Sequence, residues 1–362
     1  MLKKLDRYII RKFLTTFFFT VLIFTLISVV IDFSEKIEKF IESGITREEI
    51  IFSYYPGFIF FIAGKLWPLF TLIAVIFFTS RMAFNSEIIS ILNAGISFRR
   101  LMVPYLFSAG FLALLLFIGN HSVIPARNKV RMDIEHQYIH TNEDKGQTEN
   151  VHFFLSPNSK VYIKSFRKRD STARDFHLER FDDNRLEFLL KARYAEWKGP
   201  PDNWLLRDYE MRKFNGLEEE YYLGYGEQLD TNLNLTPADF VDYKNQQQMM
   251  TTKELREYIA SRKARGLGNT RKYALEMHNR YAEPVTIFIL TIIGLAIAAR
   301  KIRGGIGLHL ALGIGLGAIY IFLSRFAIVF AQGQAIPIVL GIWTPNIIFG
   351  LVAFYLIRRA QK

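Results

Sequence analysis

Two basic residues stand alone inside long apolar segments, where a charged side chain is costly. Lys65 interrupts the segment 50–80, and Arg325 interrupts the segment 304–357. An ionisable group at membrane depth usually faces a cavity, a partner helix or a path for a charged solute. Because ammonium and guanidinium groups both bind phosphate oxygens, we expect these residues to recognise an anion. Snorkelling to the interface, or pairing with another helix, is the alternative.

Further basic residues stand just outside the apolar segments. They are Lys36, Lys39, Arg127 and Arg131. Lys65 is about 15 residues from the end of its segment at position 80, so at about 1.5 Å per helical residue it lies toward the side of these four. Arg325 lies at a similar depth in its own apolar segment. Together the six residues predict a ring of cations that holds an anionic lipid headgroup.

Patterns typical of catalytic, metal-binding and nucleotide-binding sites do not occur. The seven histidines are scattered, and His136 and His140, one helical turn apart, are best explained as a solvated helix face. Gly64 and Lys65 lack the earlier glycine and the following hydroxyl of a phosphate-binding loop. No cluster of acids and histidines suggests an integral enzyme acting on lipid. We predict no catalytic residue, no metal and no cofactor.

The segments that position these residues are long enough to cross a membrane, which takes about 20 helical residues. They are 13–31, 50–80, 101–126, 284–299 and 304–357. The last is long enough for two helices and contains a turn signal at Gly333 and Pro337. We therefore predict six transmembrane helices. The first has no cleavage pattern after it and stays as an anchor.

The charge distribution orients these helices. Half of the 362 residues are apolar, there is no cysteine, and the net charge is +12, which excludes a disordered chain and a disulfide-built scaffold. Residues 127–277 hold 26 basic and 25 acidic side chains, so the excess belongs to the membrane part. It lies in 3–12, 81–100, 300–303 and 358–362, which share one side if six helices alternate. The positive-inside rule makes that side, with both termini, cytoplasmic, and nucleic-acid binding is disfavoured.

The nearly neutral middle region has the pattern of an all-β domain on the outer side. Val161 and Ile163 alternate with polar residues, and turn sequences separate further candidate strands at 175–181, 185–197, 204–214 and 220–229. This pattern predicts an antiparallel sandwich or jelly roll. The predicted division is 1–126 for helices one to three, 127–250 for the β domain, 251–277 for a connecting helix that begins with a capping box, and 278–362 for helices four to six.

A short amphipathic helix is predicted within residues 85–97, between spans two and three. Ser86 is placed to cap it and Gly95 to end it. Its apolar residues, which include Ile91, need a surface to cover them. Either the lipid surface or a partner protein would serve, and the second case resembles the coupling helix of an ABC-transporter permease.

Several motifs together resemble the LptF/LptG permease family of lipopolysaccharide exporters. They are Tyr8 with Arg7 and Arg11, SEIISILNAGIS at 86–97, IPA at 124–126, NRYAEP at 279–284, GGIGLHLALGIGLGAIY at 304–320 and WTPN at 343–346. Each motif alone is weak, but their order and spacing are specific. The resemblance covers essentially the whole chain.

The resemblance implies six transmembrane helices with an inserted periplasmic jelly roll, in the inner membrane of a Gram-negative bacterium. It implies a second permease subunit of the same family, a separate cytoplasmic ATPase dimer similar to LptB, and a bitopic periplasmic partner similar to LptC. Spans one and five would border a lateral opening for lipopolysaccharide. Glu87 matches the acidic coupling position of the family, and Ser86, Ile91 and Gly95 belong to the same segment.

A membrane-anchored envelope scaffold or receptor, whose β domain binds a partner without moving lipid, is the alternative function. It accounts for the basic cytoplasmic segments and the outer domain. It leaves Lys65 and the segment 85–97 without a role, whereas a permease uses both.

Overall fold

The computed structural model describes residues 3–139, 149–156, 158–167, 170–182, 185–200, 203–216, 218–233, 235–237, 245–264, 270–300, 305–333 and 335–360. The chain divides into two compact units. The helical unit comprises the described residues of Met1–Ile139, Gln247–Leu255 and Arg271–Lys362, and the β unit those of His140–Gln246 and Arg256–Thr270. The predicted boundary at residue 127 therefore falls inside the helical unit.

The helical unit contains six helical spans that are long and apolar enough to cross a membrane, as predicted. They are Lys4–Glu42, Glu49–Phe84, Phe98–Ile139, Arg271–Ala298, Gly305–Gln332 and Ile338–Arg359. The α-helices are α1 (Lys4–Glu42), α2 (Tyr55–Phe84), α3 (Glu87–Asn93), α4 (Phe98–Ile118), α5 (Ile124–Ile134), α6 (Thr252–Ala264), α7 (Arg271–Ala298), α8 (Gly305–Gln332) and α9 (Ile338–Ala360).

The third span is longer than the sequence suggested. We expected it to end at 124–126, but the chain remains helical to Ile139. A π-helical turn over Gly119–Val123 joins α4 to α5, and Pro125 lies in the first turn of α5. Proline is tolerated there because a first-turn residue does not need its N–H for the helix. The proline marks a junction between two helical segments rather than an end.

Glycines allow other helices to approach α2 closely. A Cβ on Gly57 would lie 2.6 Å from the carbonyl oxygen of Arg127 on α5. On α8, side chains at Gly313 and Gly317 would meet Ile76 and Leu69 of α2. Small residues at such contacts are typical of membrane helices, whose association depends on close packing. Helix α2 is therefore the central element of the unit.

The apolar side chains of the unit separate into a packed interior and an outer surface. Phe13 and Phe17 of α1 are fully buried against α2 and α4. On the same helix Phe19 is 60 % exposed, and on α8 Phe322 is 61 % exposed. An extended apolar outer surface is what a lipid environment requires.

The β unit contains one antiparallel sheet whose six described strands pair in sequence order. They are β1 (Glu149–Ser156), β2 (Ser159–Arg167), β3 (Thr172–Asp182), β4 (Arg185–Gly199), β5 (Asn203–Asn215) and β6 (Glu218–Asn232). Val161 and Ile163 are both fully buried, as their alternation predicted. Trp204 anchors the core, and its indole N–H donates a 2.9 Å hydrogen bond to the carbonyl of Leu235. The predicted inserted all-β domain is confirmed.

The predicted capping box at the start of α6 is present. The Glu254 carboxylate accepts hydrogen bonds from the backbone N–H and the hydroxyl of Thr251, at 2.7 and 2.9 Å. Thr251 Oγ1 in turn accepts the N–H of Glu254. The two bonds from Thr251 hold the pKa of the Glu254 carboxyl below its usual range, and the bond from the backbone N–H has the larger effect.

Candidate functional site

A cavity of about 110 Å³ lies among α2, α7 and α8 in the helical unit. Lys65 of α2 and Arg325 of α8 both line it, together with the apolar residues Leu66, Leu69 and Leu290. The two isolated cations of the sequence are therefore brought to one place by helices far apart in the chain. Their combination with an apolar wall suits a ligand that has both an anionic and an apolar part.

In the part of the chain that the structure describes, neither cavity cation forms an ion pair, although the Glu283 carboxylate lines the same cavity and attracts the Lys65 ammonium at longer range. Among the described residues, neither Lys65 nor Arg325 has a hydrogen bond or an ion pair within 4.0 Å. Lys65 is partly buried, whereas Arg325 is exposed. A charge without an ion pair at this depth is costly unless water or an anion reaches it. The pair is the strongest candidate for ligand binding in the helical unit.

One carboxylate belongs to the same region. Glu283 of α7 lines the cavity and also a smaller one, of about 40 Å³, that includes Lys65, Asn120 and Arg280. The amides of Asn120 and Asn279 donate hydrogen bonds of 2.7 and 2.6 Å to its two oxygens. The Glu283 carboxylate is thus fixed in position.

Lys36 and Arg131, two of the predicted headgroup residues, are paired with acids of the chain. The Lys36 ammonium forms ion pairs of 2.7 Å with Asp32 and 2.8 Å with Glu135. Arg131 lies 3.6 Å from Glu135, and the Tyr54 hydroxyl oxygen lies 2.9 Å from Asp32 and 3.1 Å from Glu135, so its single proton is shared between the two acids. Two acids thus compensate two bases at the junction of α1, α2 and α5. Each cation has an acid four residues away along its own helix, and the contact between Lys36 and Glu135, across 99 positions, joins the two pairs.

The remaining ring candidates, Lys39 and Arg127, are exposed. The side chain of neither has an ion pair or hydrogen bond in the part of the chain that the structure describes. The predicted ring of six cations therefore consists of three sets. The paired set is Lys36 and Arg131, the cavity set is Lys65 and Arg325, and the surface set is Lys39 and Arg127. Only the surface set and the cavity set have charges available to a ligand.

Two polar networks were missed by sequence reasoning. Thr286, Tyr320 and Asn346 join α7, α8 and α9, with Oγ1 of Thr286 2.7 Å from the Tyr320 hydroxyl and 2.8 Å from Oδ1 of Asn346. Arg280 is buried and binds Glu276, the hydroxyl of Thr252 and the carbonyl of Gln247. The sequence signal that could have revealed these networks was the polar residues in three of the family motifs. They are Arg280 in NRYAEP, Tyr320 in GAIY and Asn346 in WTPN.

Segment 85–97 contains the predicted short helix, as α3. Ser86 holds the N-cap position, but its φ of +63° is left-handed rather than extended and its side chain makes no capping hydrogen bond. The predicted cap is therefore wrong. Gly95, with φ of +82°, follows the helix in the conformation that favours glycine, as predicted.

The two faces of α3 meet different surroundings. Ile88 is fully buried and Ile91 packs against the core of the helical unit. Ile89 and Leu92 remain 42 % and 37 % exposed. The Glu87 carboxylate accepts hydrogen bonds from the Tyr8 hydroxyl at 3.1 Å and the Asn85 amide at 3.3 Å. The helix is thus attached to its own chain by one face and presents apolar residues on another.

Within the described residues, no group of three or more His, Asp or Glu side chains is placed to hold a metal ion. Of the two histidines one turn apart, His140 lies outside the described residues.

The sequence matches the family described as lipopolysaccharide export system permease LptF/LptG over residues 7–359. The chain belongs to the LptF/LptG permease family. A comparison with curated proteins gives no match. The family match spans both membrane halves and the inserted β domain, so the function of a lipopolysaccharide export permease applies to the chain as a whole. As a permease with six apolar spans it is a multi-pass membrane protein.

Proposed function

We propose that this permease is one of two membrane subunits that extract lipopolysaccharide from the inner membrane of a Gram-negative bacterium and pass it toward the outer membrane. Both termini and α3 lie in the cytoplasm, and the β unit lies in the periplasm. The basic segments at one end of the spans support this orientation. The energy comes from a separate ATPase dimer, since the sequence has no phosphate-binding loop.

The observation that carries this proposal is a pair of cations, neither of them in an ion pair with a described residue, on a cavity with apolar walls. Lys65 and Arg325 supply an ammonium and a guanidinium group for phosphates or acidic sugars. The leucines beside them supply contact for acyl chains. A lipid with an anionic headgroup satisfies both parts of the cavity at once. Lys39 and Arg127, on the surface, are placed to contact the headgroup outside it.

Helices α1 and α8 border the lateral opening by which the lipid enters, as the resemblance implies. Their apolar surface supports this assignment, because they are the two least buried of the six spans. A second permease subunit of the same family faces these surfaces and completes the path. The exposed phenylalanines of both helices then contact either lipid or the partner subunit.

Helix α3 transmits the motion of the ATPase. Its exposed Ile89 and Leu92 fit an apolar groove on the partner, while its buried side keeps it attached to the spans. Glu87 offers a carboxylate at the start of the helix for a basic group of the ATPase. The β unit receives the lipid and docks a bitopic periplasmic partner.

Photocrosslinking tests the headgroup site in a complex reconstituted with lipopolysaccharide. A photoreactive residue at position 65 or 325 should capture lipopolysaccharide, and one at position 84, exposed at the other end of α2, should not. Capture from position 84 alone would show that the cavity is structural. The variant Lys65→Met should reduce lipid retention, whereas Lys39→Met, which removes an exposed charge outside the cavity, should reduce it less.

Coupling is tested by measuring ATP hydrolysis and lipid release together. Glu87→Ala and Glu87→Arg should lower the lipid released per ATP hydrolysed, and Glu38→Arg, at an exposed acid on α1, should not. Normal export by both Glu87 variants would refute the coupling role. Copurification separates the permease from a scaffold, because only a permease should bring an ATPase with it from native membranes.

A further inference from the structure

A third cavity, of about 310 Å³, lies toward the opposite end of α2 from Lys65, among the start of α1, the end of α2 and α3. Lys12 of α1 and Arg81 of α2 line it, with the Thr15 hydroxyl and the exposed ring of Phe77. The headgroup and coupling roles proposed above use neither of the two cations.

Both cations of this cavity are available to a ligand. Within the described residues, neither the Lys12 ammonium nor the Arg81 guanidinium has a hydrogen bond or an ion pair. The acid on the cavity wall is Glu87, whose carboxylate already accepts hydrogen bonds from Tyr8 and Asn85. The ionised side chains of the lining therefore leave one positive charge in excess.

We propose that this cavity binds the headgroup of an anionic glycerophospholipid, distinct from the transported lipid, in the leaflet where α1 begins. A phosphodiester carries one negative charge, which matches the excess of the lining, and basic side chains near an anionic membrane surface attract such lipids. Phe77 and, nearby, Phe84 are 39 % and 59 % exposed, so apolar surface for acyl chains adjoins the polar groups.

The position of the site gives the lipid an influence on α3. Tyr8 and Glu87, which join α1 to α3, both line the cavity. A bound headgroup therefore contacts the attachment of the short helix to the first span. Naming the leaflet as cytoplasmic rests on the proposed orientation, but the binding site itself requires only that the spans lie in a membrane.

Native mass spectrometry of the full-length protein, released from nanodiscs of phosphatidylcholine with a minor fraction of phosphatidylglycerol, tests the site. The wild type should retain phosphatidylglycerol preferentially, and Lys12→Gln combined with Arg81→Gln should lower that retention about tenfold or more. Arg358→Gln combined with Arg359→Gln removes the same charge from the C-terminal basic segment and should leave the preference intact. Equal losses in both double variants would show that the preference for phosphatidylglycerol arises from overall positive charge, and would overturn the proposal.

Two further outcomes make the ligand class definite. A photoreactive residue at position 77 should capture phosphatidylglycerol, and absence of capture together with no lipid preference in the wild type would refute the site. Displacement of the lipid by excess inorganic phosphate would instead assign the cavity to a free anion. Because lipopolysaccharide is absent from these samples, failure here leaves the proposed export function untouched.

Discussion

The Tyr8 hydroxyl donates a 3.1 Å hydrogen bond to the Glu87 carboxylate, joining the beginning of the first span to the beginning of α3 across 79 positions. A second contact joins the same end of α1 to α4, since the Arg100 guanidinium binds both oxygens of the Asp6 carboxylate at 2.8 and 2.6 Å. The acid that we propose for coupling is therefore linked directly to α1, which is proposed to border the lateral opening.

We predict that Tyr8→Phe weakens coupling without unfolding the protein. The substitution removes the donor but keeps the ring, and a partly exposed hydrogen bond contributes only about 1 kcal/mol to stability. Lipid released per ATP hydrolysed should fall in the reconstituted complex, while thermal unfolding changes little. Tyr355→Phe, at an exposed tyrosine of α9, is the matched control. Unchanged coupling in Tyr8→Phe, with coupling lost in Glu87→Ala, would show that Glu87 acts without Tyr8.

Lys36→Met should lower the stability of the protein, whereas Lys65→Met should lower its lipid retention. Lys36 compensates Asp32 and Glu135, so its loss leaves buried carboxylates poorly paired and should cost about 3–5 kcal/mol. Lys65 has no ion pair, so its replacement should leave stability nearly unchanged and reduce lipid retention. Thermal unfolding in detergent and lipid content after purification measure the two effects. A stable Lys36→Met protein that has lost its lipid would support the predicted headgroup role of Lys36 instead.

Gly57→Ala should destabilise the helical unit although alanine favours helices. The new Cβ would lie 2.6 Å from the carbonyl oxygen of Arg127 and 2.8 Å from Cβ of Arg131. Because the first of these is backbone, the helices must move apart, at a cost of about 1–3 kcal/mol. Gly350→Ala, where nothing lies within 4 Å, should be neutral or stabilising. Equal melting temperatures for the two variants would mean that α2 and α5 adapt easily.

The β sheet should lose stability as the pH falls from about 7 toward 5. Burial lowers the pKa of His177 below its usual 6.5, and the nearby Lys191 acts in the same direction. The unfolded chain therefore binds more protons in this range, so the stabilisation is complete above pH 6.5 and is lost as the pH falls through the folded-state pKa. Hydrogen exchange of β3 in the full-length protein, corrected for intrinsic rates, measures the change. His177→Gln should flatten this pH dependence, and an unchanged slope would assign it to other groups.

The sequence by itself determined the six spans, the inserted β domain and the short helix, because each rests on local periodicity. An apolar run of membrane length, the alternation of Val161 and Ile163, and Gly95 after an amphipathic segment can all be read along the chain. Family membership followed from motifs in a fixed order. The same local signals misplaced the end of span three, since a proline at a helix junction and a proline after a helix look alike.

Only the tertiary structure decided which charges are available. Lys36 and Lys65 were both predicted to contact a headgroup, yet the first meets Glu135 from 99 positions away and the second meets no described acid within ion-pair distance. Charge compensation is a property of distances in space, and residues far apart in the chain set those distances through helix packing. The same reason applies to Arg325 beside Lys65 and to Tyr8 beside Glu87. The sequence gives the types of side chain, and the packing of α1, α2, α7 and α8 selects those that remain free for a ligand.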